Sequence, residues 1–210
     1  MPNWCNNTVT ISHAEPEALE NLAAAVREGK FLSHVIPVPK ELTETMAGSY
    51  GDDEKQQALE RQEESNLKKY GAKNWYDFCV ARWGTKWDVD AYEPDEVKVE
   101  NGTVTFGFDS AWSPPIGVYE ALVEQGFSVR AYYYESGMAF CGLWEDGHDD
   151  YYELGGMKSQ EVADTIPEDL DEQFCISENM AEWEEENSED DELTEWYEDG
   201  VEKKGLEPHK

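Results

Sequence analysis

The sequence predicts an α+β protein: a sheet of the split β-α-β kind with helices on one face, followed by an acidic helical C-terminal segment. Three observations predict it. Through residues 1–150, short segments of alternating polarity take turns with stretches whose apolar residues recur at helical spacing. An Asn101-Gly102 pair separates two of the alternating segments, which is a strong short hairpin signal. The composition then changes. Residues 1–150 carry 27 acids and 12 bases, net −15, whereas residues 151–210 carry 21 acids and 4 bases, net −17. The last sixty residues therefore hold more than half of the excess charge. Gly155-Gly156 is the natural hinge near that change, which divides the chain into a domain over 1–150 and an acidic extension over 151–210.

The elements follow in order. Asn7 to Ser12 alternates as a strand, with Val9 and Ile11 on one face. Glu15 to Glu28 is a helix, with Pro16 near its start, Leu19, Leu22, Ala23 and Val26 on its apolar stripe, and Gly29 as its stop. Phe31 to Ile36 is a short apolar stretch that runs into Pro37-Val38-Pro39 and reads as extended or turning. Residues 43–74 are polar, charged in both signs and weakly helical from Asp53 to Tyr70, as expected of a helical insertion. Asn74 is placed to cap a short helix ending at Gly84. Trp87 to Tyr92 alternates again. Val97 to Glu100 and Thr103 to Phe108 form the two arms of the Asn101-Gly102 hairpin. Pro114-Pro115 opens a helix that Gly126 closes. Phe127 to Tyr134 and Met138 to Trp144 read as two strands.

That order of strands and helices is the split β-α-β arrangement of ferredoxin-like folds. Beyond residue 150, Leu170, Phe174, Ser177, Ala181 and Glu184 keep helical spacing. Leu193, Trp196, Tyr197 and Val201 suggest a second short helix.

Charge limits the function. With 48 acids against 16 Lys and Arg, the chain has a formal net charge of −32. Direct binding to duplex nucleic acid needs a basic stripe, and anionic membrane surfaces demand the same. Neither is expected. No apolar run approaches the 18 or so residues of a membrane span, and no basic, then apolar, leader opens the sequence. Cys5, Cys79, Cys141 and Cys175 are scattered without a C-x-x-C pair, as in reduced, mostly buried thiols. A cytoplasmic protein is the expectation.

Four segments carry a resemblance. They are Met1-Pro2-Asn3-Trp4-Cys5-Asn6-Asn7, Trp83-Gly84-Thr85-Lys86-Trp87, Phe108-Asp109-Ser110-Ala111-Trp112-Ser113-Pro114-Pro115, and Tyr133-Tyr134-Glu135-Ser136-Gly137 leading into Phe140-Cys141-Gly142. Together they resemble the plasmid- and phage-borne YubB-like family over residues 1–144. The resemblance implies a ferredoxin-like domain and a mobile-element origin, and it implies no activity. The acidic extension lies outside it.

Two sets of residues are candidates for function. The first is Trp4, Trp83, Lys86, Trp87, Asp109, Trp112 and Glu135, read as a pocket with indole walls, a cation and carboxylates for a small ligand or nucleobase. Tryptophans in strand patterns also fill cores, and that alternative stays open. The second is Glu182, Glu184, Glu185, Glu186, Glu189, Asp190, Asp191, Glu192, Glu195, Glu198 and Asp199, eleven carboxylates within eighteen residues, with Trp196 among them. A helix carrying carboxylates at regular spacing imitates a phosphate ladder and attracts proteins that bind nucleic acid. A solubilising tail would need none of the interspersed Trp183, Leu193, Trp196 and Tyr197. His148-Asp149-Asp150, beside Glu145 and Asp146, has oxygens and one imidazole but no second histidine nearby, so no metal site is expected. No nucleophile elbow, zinc-protease motif, P-loop or dinucleotide fingerprint is present.

The expected function is therefore binding without a cofactor: a mobile-element accessory protein that mimics nucleic acid and inhibits a basic or nucleic-acid-binding host protein such as a defence nuclease. A nucleotide-handling domain built on the Trp-rich loops is the alternative.

Overall fold

The computed structural model describes residues 3–51 and 53–187 and divides into two compact units, Met1–Glu153 and Leu154–Lys210. The first unit is α+β, with an antiparallel sheet. Its strands are β1 (Trp4–Ser12), β2 (Val99–Glu100), β3 (Thr103–Ala111), β4 (Ser128–Glu135), β5 (Phe140–Glu145) and β6 (His148–Glu153), in spatial order β2-β3-β1-β4-β5-β6.

β1 lies between β3 and β4 and is antiparallel to both, so β3 and β4 run parallel, joined by a helix with β1 inserted between them. β2 is antiparallel to β3 and hence parallel to β1, with β3 inserted. Two interleaved split β-α-β units make the ferredoxin-like order β4-β1-β3-β2, which β5 and β6 extend as a meander.

The pleat sorts the side chains. Cys5, Asn7, Val9 and Ile11 of β1 are buried while Trp4, Asn6, Thr8 and Thr10 alternate away. The buried face meets α1 (Pro16–Arg27), α2 (Phe31–Val35), α5 (Trp75–Trp83) and α6 (Ile116–Glu124), whose Leu19, Leu22, Phe31, Cys79, Trp83, Val118 and Leu122 share one core with Val9, Phe106, Phe108 and Trp144. Buried Asn7 is satisfied within that core. It donates to the Cys5 carbonyl and Ser110 Oγ and accepts from the Tyr119 hydroxyl.

The 43–74 region holds α4 (Asp53–Tyr70) after the single-turn α3 (Lys40–Thr43). Buried Asn66 ties α4 down by donating to Thr45 Oγ1 and the Lys73 carbonyl. Asn101 and Gly102 both have positive φ, as the β2–β3 hairpin requires.

Three expectations change. Phe31–Val35 is a helical turn, because the Asp88 carboxylate accepts from the Leu32 and Ser33 amides at its start. The Trp87–Tyr92 stretch makes an isolated bridge, Ala91 to Phe108, instead of a strand. β6 is an additional strand, polar on both faces and with five of its six residues exposed.

The second unit holds α7 (Ser159–Thr165), α8 (Glu168–Phe174) and α9 (residues 176–187). Its apolar stripe is not one helix. Cys175 takes a left-handed conformation, φ 50°, and breaks the row between α8 and α9. Among its described residues, Leu154, Val162, Ile166, Leu170 and Ile176 are the buried apolar side chains. The thiols of Cys5, Cys79 and Cys141 are buried, and that of Cys175 is exposed. Among the described residues no helix is long and apolar enough to cross a membrane.

Candidate functional site: an exposed tryptophan cluster around Lys86

Antiparallel register places the start of β1 beside the end of β3, with Trp4 opposite Ala111. The Trp112 amide continues that ladder by donating to the Asn3 carbonyl. The loop after α5 is stitched to the same corner. Thr85 Oγ1 donates to the Ala111 carbonyl at 2.9 Å, and Ser113 Oγ donates to the Gly84 carbonyl at 2.6 Å. These bonds carry Lys86 and Trp87 across to Trp112.

The result is a ridge of aromatic rings. Trp4 and Trp87 lie with centroids 6.2 Å apart, and Tyr76 meets Trp112 edge-on at 6.5 Å. The Lys86 ammonium sits between two indoles, 3.7 Å from the Trp87 ring and 4.2 Å from the Trp112 ring. Each such contact contributes about 0.5–1 kcal/mol at an exposed site. Trp4, Trp87 and Trp112 remain 45%, 43% and 40% exposed, far from the core role the sequence left open. Trp112 also has φ 71°. For a bulky residue that left-handed conformation costs on the order of 1–3 kcal/mol, and the surrounding hydrogen bonds hold it.

Asp109 faces the open side of the sheet next to this ridge. Its Oδ1 accepts from Asn6 Nδ2 at 2.7 Å and from the Tyr92 hydroxyl at 2.6 Å. Burial, then the Asp109 carboxylate, pushes the Tyr92 phenol well above its ordinary range, so it stays a donor. Two open grooves flank the ridge. One of about 400 Å³ runs past Asn74, Trp75, Tyr76, Lys86 and Trp87, and one of about 310 Å³ runs past Trp4, Asp90, Tyr92 and Asp109.

Two members of the predicted pocket belong elsewhere. Trp83 is 3% exposed and its Nε1 donates to the Ile36 carbonyl, which makes it part of the core. Glu135 is 1% exposed and accepts from the Gly137 and Met138 amides, closing the β4–β5 turn. Trp75, Tyr76, Tyr92 and Asn6 join the site without having been singled out. Tyr76 and Tyr92 are exposed, and nothing in their local sequence marks a ring as presented outward.

The acidic set divides likewise. Glu182, Glu185 and Glu186 lie exposed on α9, with Trp183 64% exposed among them. Glu184 is engaged, accepting from the amide and hydroxyl of Ser159 at 3.0 and 2.9 Å. Glu189, Asp190, Asp191, Glu192, Glu195, Trp196, Glu198 and Asp199 lie outside the described residues.

The groups around His148 are separately occupied. His148 pairs with Asp150 at 3.1 Å, Asp149 accepts from the Tyr133 hydroxyl, and Asp146 accepts from Ser128 and the Val129 amide. Because strand residues alternate, Asp149 and Asp150 point to opposite faces. Among the described residues no group of three or more His, Cys, Asp and Glu is placed to hold a metal ion.

No family model matches this chain, and no curated protein does. A solved structure similar to it is that of protein api92 from Yersinia pseudotuberculosis, of the DUF1281 family. It is 11% identical, over 74% of this chain and 99% of that one, with a TM-score of 0.36.

Proposed function

We propose that this chain is a mobile-element accessory protein of the host cytoplasm that acts by binding, occupying the nucleic-acid-binding surface of a basic host protein such as a defence nuclease. The observation that carries it is α9, where Trp183 stands 64% exposed among Glu182, Glu185 and Glu186. A helix that served solubility alone would gain nothing by exposing an indole. A docking helix needs one, since buried Trp anchors dominate interface energies. Glu178, Glu182 and Glu186 stand at i, i+4 and i+8, a row of carboxylates about 6 Å apart along the axis. The sign of that row matches phosphate, and the net charge of −32 would steer a basic partner onto it. The resemblance to YubB-like proteins supports the mobile-element setting.

Purified restriction endonucleases and other DNA-binding proteins, presented to the immobilised full-length chain, provide the test. Retention should fall steeply between 50 and 200 mM salt, roughly as for duplex DNA, and duplex DNA should compete. Trp183→Ala should weaken binding at least about tenfold at every salt concentration. Simultaneous binding of DNA and this protein to one partner overturns mimicry. No retention at low salt overturns the binding role.

A further inference from the structure

From the ridge around Lys86 we infer a second, separate binding site, for a nucleoside monophosphate. The decisive feature is how Lys86 is held. An ion pair would order a lysine and neutralise it together, whereas indole faces order the ammonium and leave its charge and its N–H donors in place. Lys86 is clamped in this way between Trp87 and Trp112. It has no hydrogen-bond or ion-pair partner among the described residues, in a chain with three carboxylates for every base. Trp112, held at φ 71°, supplies the second indole over it and is a positioning residue.

The groove beside Lys86, about 400 Å³, presents Trp75, Tyr76 and Trp87 along its wall, a size within the usual range for small-molecule sites. Aromatic rings stack a base regardless of its identity, and an adjacent, un-neutralised ammonium receives a phosphate. Asp77 lines the same groove, which favours a ligand carrying hydrogen-bond donors, such as an exocyclic amine, over a bare anion. A polynucleotide would meet the repulsion of a −32 chain, whereas a single nucleotide brings about two charges. The ligand chemistry is thus an aromatic base joined to one phosphate.

The test is calorimetric titration of the full-length chain with adenosine 5′-monophosphate, adenosine, inorganic phosphate and a single-stranded oligoadenylate. The monophosphate should half-saturate the protein below roughly 1 mM. Adenosine should bind about tenfold more weakly, and phosphate alone should not bind measurably. Lys86→Met should bring the monophosphate down to the affinity of adenosine, while Lys86→Arg, which keeps the cation, should retain most of the difference. No saturation by the monophosphate at about 10 mM overturns the site, as does an unchanged ratio in Lys86→Met. An oligonucleotide that binds more tightly than the monophosphate overturns the mononucleotide assignment. None of these outcomes bears on the binding role proposed for the acidic helix.

Discussion

Gly117 shows how a single atom can decide this structure. It sits in the first turn of α6, where an added Cβ would overlap the Arg82 carbonyl at the end of α5. Alanine would raise helix propensity by about 1 kcal/mol, but the overlap is with backbone, and overpacking of that kind costs about 1–3 kcal/mol. Gly117→Ala should therefore destabilise the first unit despite its better propensity, as a lower midpoint in urea unfolding. An unchanged or higher midpoint would mean that the α5–α6 approach is slack. This requirement was not legible in the sequence, since nothing local distinguishes Gly117 from an ordinary helical glycine. The same holds for the tryptophans. Trp83 and Trp87 flank one Gly-Thr-Lys segment, yet one is buried and the other presented, because α5 ends at Gly84 and the chain reverses there with φ 91°.

At the scale of elements, the sequence was most readable where turn chemistry and periodicity coincided. Asn101-Gly102 marked its hairpin correctly, and Asn74 caps α5 by accepting from the Asp77 amide, as expected. Asp146-Gly147 carries the same hairpin chemistry, both residues having positive φ, but the strand after it was unreadable because His148-Asp149-Asp150 shows no apolar alternation. Long-range capping was equally hidden, as Glu184 on α9 closes the start of α7. The Ser159 amide, then its hydroxyl, hold the Glu184 carboxyl below its ordinary value near 4.5. A lowered carboxylate gives stability that is complete above that ordinary value and disappears as pH falls through the folded one. Hydrogen exchange at the Ser159 amide should then be faster in Glu184→Gln than in the parent at pH 7, and the two should converge in acid. Equal rates at pH 7 would show that the contact does not hold α7.

For the molecule as a whole, the main core draws on residues from Cys5 to Trp144, so the first unit contains its own source of stability. Residues 1–153 alone should fold cooperatively, keep the nucleotide site and lose the basic partner, because α9 and half of the net charge of −32 depart together. Near-ultraviolet circular dichroism and the two binding assays check this. An unfolded fragment, or one that still captures the partner, contradicts it. The sheet's outermost strands carry a different consequence. β2 is two residues long, and β6 is His-Asp-Asp-Tyr-Tyr-Glu with its side chains largely in water. A stranger's strand gains almost no ladder from the first, and at neutral pH it meets carboxylates on both faces of the second, Asp149 and Glu153 on one and Asp150 on the other. The protein is thus protected against growing edge to edge into fibrils by brevity at one margin and by charge at the other. Of these two protections only the second depends on charge, so the β6 margin is where cross-β assembly should begin once that charge is removed, as by exchanging Asp149, Asp150 and Glu153 for their amides.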